Sequence, residues 1–171
     1  RSGPTWEGNQ VWLVLGGGAI FAAWPTIYAV SFSGFYLAMI AILLALILRP
    51  VGFKFRGKVA DPRWRASWDW ALFVGGFVPS LIFGVAVGNA LLGVPFDFDD
   101  SLRASYSGNF FQLLTPFALQ AGLVSLAMLA THGAAVIAMR TGGAVAERAR
   151  RYGGLAAIAI VALLALGGLA C

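Results

Sequence analysis

The sequence predicts an all-α fold, a polytopic bundle of transmembrane helices, on three observations. Charge is scarce: 60% of the 171 residues are hydrophobic and 11% are charged, against about 25% charged in a soluble domain. That leaves too little polar surface to cover a globule in water. The apolar residues also gather into long runs, since residues 8–48, 70–96, 104–139 and 152–171 contain no Asp, Glu, Lys or Arg. Finally, the basic residues fall between these runs and not within them. The same composition excludes other classes. A single cysteine, Cys171, excludes a disulfide scaffold, and the apolar content excludes disorder. No nucleic-acid partner is expected, because the net charge of +5 sits in two short clusters and not in a stripe along a soluble face.

A helix needs about 20 apolar residues to cross the hydrocarbon core of a bilayer. The run 8–48 is long enough for two crossings, with Pro25 near its middle, and the other three fit one each. The expected spans are 8–24, 27–48, 69–92, 111–138 and 153–171, all within one membrane domain over 1–171. The purely apolar part of the first, Val11–Trp24, is short enough to belong to a re-entrant segment. In the third, Gly75, Gly76 and the pair Gly84 and Gly88 offer close helix packing, and Pro79 should kink the helix. GxxxG alone names no partner, and packing inside the chain is its simpler reading.

Orientation follows from the cations. Arg49, Lys54, Arg56, Lys58, Arg63 and Arg65 separate the second and third spans, and Arg140, Arg148, Arg150 and Arg151 the fourth and fifth. The intervening loop holds Arg103 beside Asp97, Asp99 and Asp100. Five alternating spans place both basic loops, 49–67 and 140–152, on one side, which the positive-inside rule makes cytoplasmic. Trp64, Trp68 and Trp70 then sit at that interface. The chain opens at Arg1 without a methionine and closes at Cys171 inside an apolar run, so it is expected to be a piece of a longer protein.

Chemistry must come from the few polar groups at or near membrane depth. His132 is the only histidine. One histidine supplies at most one axial haem ligand, and with one distant cysteine it builds no metal site. Its simpler reading is a polar packing residue. No Ser-His-Asp order, phosphate-binding loop or dinucleotide fingerprint is present, so no catalytic residue is assigned. The helix ends are more informative. Glu7 is expected to open the first span, Arg49 to close the second and Asp69 to open the third. The helix dipoles favour an acid at an N-terminus and a cation at a C-terminus. With Asn9 and Gln10, these three could also form a hydrated entrance in which a buried acid carries protons.

At these residues the chain resembles a known family. Pro4-Thr5-Trp6-Glu7-Gly8-Asn9-Gln10-Val11-Trp12-Leu13 looks like the signature of subunit II of bd-type quinol oxidases. Further blocks follow in order: Phe21-Ala22-Ala23-Trp24-Pro25, Phe32-Ser33-Gly34-Phe35-Tyr36, Arg49-Pro50-Val51-Gly52-Phe53, Arg63-Trp64-Arg65 and Trp68-Asp69-Trp70. Gly84-Val85-Ala86-Val87-Gly88-Asn89, Gly93-Val94-Pro95-Phe96, Gly108-Asn109-Phe110-Phe111-Gln112-Leu113-Leu114 and Pro116-Phe117 close the series, which covers residues 3–141.

The resemblance implies a bacterial respiratory complex of the cytoplasmic (inner) membrane that oxidises quinol and reduces oxygen to water. In that family the haems b and haem d are ligated by subunit I. Subunit II packs against it, stabilises the assembly and contributes to a cytoplasmic proton pathway, here Glu7, Arg49 and Asp69. A structural quinone is a further cofactor that the resemblance leaves open. The family subunit has eight spans, and this chain resembles the second to sixth. Members more often carry Asp at the position of Glu7, and some carry glutamine at that of His132, which argues against His132 as a haem ligand. Without the resemblance, the alternative is half of a proton- or solute-coupled transporter. Transporters place a polar site near the midplane between repeats, whereas these ionisable groups are interfacial and no internal repeat is evident.

Overall fold

The structure, a computed structural model, describes residues 3–93, 96–99, 104–106, 108 and 110–170. Among the described residues it is all-α apart from one short hairpin, and four helices are long and apolar enough to cross a membrane. The chain forms two compact units, Arg1–Tyr36 with Val94–Phe110, and Leu37–Gly93 with Phe111–Cys171. Asp100, Arg103, Asn109 and Cys171 lie outside the described residues.

In the first unit, α1 (Gly3–Ala23) stops because Pro25 pushes Trp24 out of the helical region, to φ −139° and ψ 72°. Pro25 then opens α2 (Pro25–Gly34), at a position where no N–H is needed. Tyr28 joins the two helices, edge-on to Phe21 at 5.0 Å and stacked on Phe32 at 4.1 Å. The helix anticipated over 27–48 is divided at Phe35. Ser31, Ser33 and Gly34 are poor helix formers, the Ser33 hydroxyl donates back to Val30 O at 3.1 Å, and the Phe35 N–H closes on Ser31 O. The apolar helical part of α1, Val11–Ala23, is shorter than the four long helices. Strands β1 (Phe96–Phe98) and β2 (Ala104–Tyr106) pair antiparallel with Asp97 opposite Ser105.

The second unit holds the long helices α3 (Tyr36–Phe55), α4 (Pro62–Leu92), α5 (Pro116–Arg140) and α6 (Gly143–Ala170). Two of their starts are written locally. Asp61 accepts from the Arg63 N–H at 2.9 Å ahead of Pro62, and Thr115 accepts from the Ala118 N–H at 3.1 Å ahead of Pro116. Gly93 ends α4 at φ +83°, a conformation that glycine adopts without strain.

Several sequence-based boundaries move outward. Arg49 does not close its helix, because α3 runs through Pro50 to Phe55. Asp69 does not open α4, which starts seven residues earlier. The loop expected over 49–67 shrinks to residues 56–61, and that over 140–152 to 141–142. The reason is length. At 1.5 Å per residue α4 is about 46 Å long, against a hydrocarbon core of about 30 Å. The helix is longer than one crossing requires and continues past its apolar run.

Small residues let these helices touch. A Cβ at Gly84 would stand 2.6 Å from Ala121 O, and one at Gly88 2.8 Å from Ala118 Cα. From the other side, a Cβ at Gly122 would stand 2.9 Å from Val85 Cγ2. The Gly84–Gly88 pair therefore packs on α5 of the same chain. Asn89, buried beside it, donates to Val85 O at 2.9 Å and to Leu113 O at 2.7 Å, which fastens the approach to α5 onto α4. Gly153 lies against Ala134, and the Gln120 amide donates to Leu163 O, tying α5 to α6. Gly75 meets Ala45 O and the Arg49 stem, and Gly52 meets Leu72, tying α3 to α4. In each pair the numbering rises on one helix as it falls on the other, so neighbours are antiparallel. The α3–α4 and α5–α6 turns consequently lie at one end of the unit. Pro79 is buried inside a continuous α4, where Ser80 donates to Gly76 O at 2.6 Å.

Gly84→Val should destabilise the helix pair by about 1–3 kcal/mol, the usual cost of overpacking. It should appear as a lower unfolding temperature in detergent. Gly76→Ala should be neutral or slightly stabilising, since nothing lies within 4 Å of a Cβ there.

Candidate functional site

Glu7 and Asn9 lie on α1 of the first unit, and Asn9 is exposed. The side chains of Glu7 and Gln10 are outside what the structure describes. Arg49 and Asp69 lie on α3 and α4 of the second unit. Arg49 is half-buried, with its stem against Gly75. Asp69 is exposed and beside a hollow of about 380 Å³ lined by Ala66, Trp70 and Phe73.

Sequence reasoning grouped Asp69 with Glu7 and Arg49 and placed Arg56 only among the cations of the loop. The structure pairs Asp69 with Arg56 in a two-pronged salt bridge, Nε to Oδ1 and Nη2 to Oδ2, the second at 3.1 Å. Arg56 lies just beyond the end of α3, thirteen residues from Asp69. The antiparallel register of α3 on α4 brings them together, and no motif spacing signals that. The hydrogen bonds to Asp69, with its charge, raise the Arg56 guanidinium above its ordinary value, so Arg56 stays cationic.

Aromatic groups brace this end of the unit. Trp64 Nε1–H donates to Phe55 O at 2.9 Å. Trp68 stacks on Phe55 at 6.1 Å and meets Trp64 edge-on at 5.7 Å. Lys58 Nζ stands 4.9 Å from the centre of the Phe55 ring, within cation–π range. The Asp69 carboxylate is thus held by one arginine, at an end of the unit where Trp64, Trp68 and Phe55 pack together.

The donor set of α5 is small. His132 is exposed, and the nearest sulfur along α5, on Met128, lies one turn away on the same helix. Among the described residues no group of three or more His, Cys, Asp or Glu side chains could hold a metal ion. A second cavity, about 550 Å³, runs along α4, α5 and α6. Phe83, Val87, Phe117, Met128 and Leu164 give it an apolar lining, with Gln120 and Ser125 as polar groups.

Fold and site together define a polytopic helical membrane protein whose ionisable groups concentrate at helix ends. The family model for cytochrome bd terminal oxidase subunit II matches residues 1–171, and the chain belongs to that family. A Haemophilus influenzae protein described as a probable cytochrome oxidase subunit 2 is 55% identical over 165 residues, 96% of this chain and 44% of that protein. The cytochrome bd-I ubiquinol oxidase subunit 2 of Escherichia coli (strain K12) is 54% identical over 165 residues, with the same shares. The cytochrome bd ubiquinol oxidase subunit 2 of Bacillus subtilis (strain 168) is 37% identical over 168 residues, 96% of this chain and 48% of that protein. The chain spans less than half the length of these relatives.

Arg56 and Asp69 are both exposed, so salt should screen their coupling. A double-mutant cycle of Arg56→Gln and Asp69→Asn, read by unfolding temperature, should show favourable coupling at low ionic strength that shrinks in 1 M salt. Coupling indifferent to salt would contradict the exposed geometry.

Proposed function

We propose that this chain is part of subunit II of a bacterial respiratory quinol:oxygen oxidoreductase, and that it acts beside a haem-bearing subunit I in the cytoplasmic membrane. The observation that carries this reading is the family match over the whole chain, with relatives named ubiquinol oxidase subunit 2. Haem b and haem d belong to subunit I, where they supply electron transfer from quinol and oxygen reduction. This chain offers a single histidine, His132, and the resemblance to members with glutamine there is the reason for keeping the haems off it. An isoprenoid quinone is a reasonable structural occupant for the apolar cavity along α4–α6, whose lining suits a hydrocarbon tail.

The chain contributes proton uptake. Oxygen reduction at a buried site consumes protons, so a hydrated path from one side is physically required. Glu7 takes up protons from the cytoplasm, helped by Asn9 and Gln10, with Arg49 and Asp69 setting its field. A carboxylate serves when its pKa is raised toward neutrality, because it then exchanges protons with water at modest cost. The salt bridge from Arg56 refines the role of Asp69: a carboxylate held in a bidentate pair stays ionised. It is therefore better suited to hold water and field than to carry the proton itself. The membrane domain comprises residues 1–171, with the turns at 56–61 and 141–142 cytoplasmic.

Two measurements test this reading. In the assembled oxidase, Glu7→Gln keeps shape and hydrogen bonding but removes the titratable group, so oxygen consumption per haem should fall while haem content is unchanged. Glu7→Asp should be mild. Wild-type turnover per haem in Glu7→Gln would remove Glu7 from the path, and a loss confined to haem content would make it a structural cap. Separately, single cysteines at Lys58 and Arg148 should both react with an impermeant thiol reagent from the cytoplasmic side only. Labelling from opposite sides would overturn the orientation.

A further inference from the structure

Among the described residues, the α3–α4 turn carries a local excess of cations. Lys54, Arg56, Lys58, Arg63 and Arg65 fall within twelve consecutive positions, with only Asp61 and Asp69 nearby in sequence. Both acids are engaged. Asp61 accepts the Arg63 N–H at the start of α4, and Asp69 is held by Arg56. Lys54, Lys58, Arg63 and Arg65 all remain exposed.

The placement of two of them is also unfavourable for the helix alone. Arg63 and Arg65 sit in the first turn of α4, which holds no acid. The positive end of the helix dipole disfavours cations there and favours an anion. The neighbouring surface is aromatic. Trp64 is fixed to Phe55 O, Trp68 stacks on Phe55, and Trp70 and Phe53 are 68% and 54% exposed. Charge above exposed indoles is the layering of a headgroup region over hydrocarbon.

We propose that the α3–α4 turn docks the phosphate headgroups of anionic phospholipids, with Lys54, Lys58, Arg63 and Arg65 as the phosphate-binding cations and Trp64 and Trp68 as the floor. The occupant is a lipid and not a free anion, because the floor continues into apolar surface that an acyl chain covers and inorganic phosphate does not. Preorganisation adds to the fit: Lys58 is held over Phe55, so less side-chain freedom is lost on binding. The inference rests on the membrane fold and not on the oxidase reading.

The test is lipid retention by the full chain, purified in detergent with equimolar phosphatidylglycerol and phosphatidylcholine and read by native mass spectrometry. The wild-type chain should retain phosphatidylglycerol over phosphatidylcholine. Each cation removed by Lys58→Gln, Arg63→Gln or Arg65→Gln should lower that preference about five-fold. Arg148→Gln with Arg150→Gln and Arg151→Gln, at the α5–α6 turn, should lower it much less. Equal retention of the two lipids, or an equal loss from both sets of variants, would overturn the proposal, the latter by reducing it to general charge. Displacement of phosphatidylglycerol by millimolar inorganic phosphate would also overturn it, in favour of a free-anion site. Helix content by circular dichroism accompanies each variant. If Arg63→Gln or Arg65→Gln unfolds, Lys58→Gln, on the turn outside both helices, decides by the same five-fold criterion.

Discussion

Backbone-to-backbone contact between α4 and α5 is the constraint on which the second unit depends. Lipid tails are as apolar as leucine, so two helices in a bilayer gain little by hiding leucines from them. Attraction has to come from atoms brought closer than lipid can approach. Gly84, Gly88 and Gly122 provide this, since any of them bearing a Cβ would drive it into the facing helix. Asn89 adds direction, because its amide spans from Val85 O on its own helix to Leu113 O on the segment that feeds α5. An amide in an apolar setting that lost either acceptor would bear a desolvation cost, so the contact also sets register.

The buried set in this unit follows the same logic. Ala38, Ile42 and Ala45 on α3, Val85 on α4, Ala118 on α5, and Ala146 and Ala149 on α6 are mostly small. The large apolar side chains point outward, with Leu91 74% and Met139 78% exposed. A soluble protein would show the opposite arrangement. Here the bulky groups form the surface that meets lipid or protein, and the small ones form the seams.

Helices longer than the membrane is thick move the polar chemistry to their ends. The first turns of α4 carry Trp64, Trp68 and Asp69 past the apolar run, into a region where indoles and charges are both stable. There α3 and α4 are close enough for Arg56 to reach Asp69 and for Trp64 to reach Phe55 O. That end combines a carboxylate paired with Arg56, a cluster of exposed cations and a packed group of aromatic rings. The proposed proton field and the proposed lipid contact both draw on it.

The sequence by itself determined the solvent, the helical class and the family. Charge-free runs of membrane length have no other stable solution once every backbone group must be satisfied internally. Ordered blocks from Trp6-Glu7-Gly8-Asn9-Gln10 to Pro116-Phe117 are too many to arise by chance. It also marked Gly84 and Gly88, because small residues four apart share a helix face. Only the tertiary structure decided that this pair meets Ala118, Ala121 and Gly122 within the chain, that α4 begins at Pro62, and that Asp69 pairs with Arg56. Hydropathy reports where hydrocarbon ends, while helix ends obey caps such as Asp61 and Thr115 that work equally well in the interface. The partner of a charge thirteen residues away depends on how two helices slide past each other, and that is set by the packing of Gly52 and Gly75, not by the charges themselves.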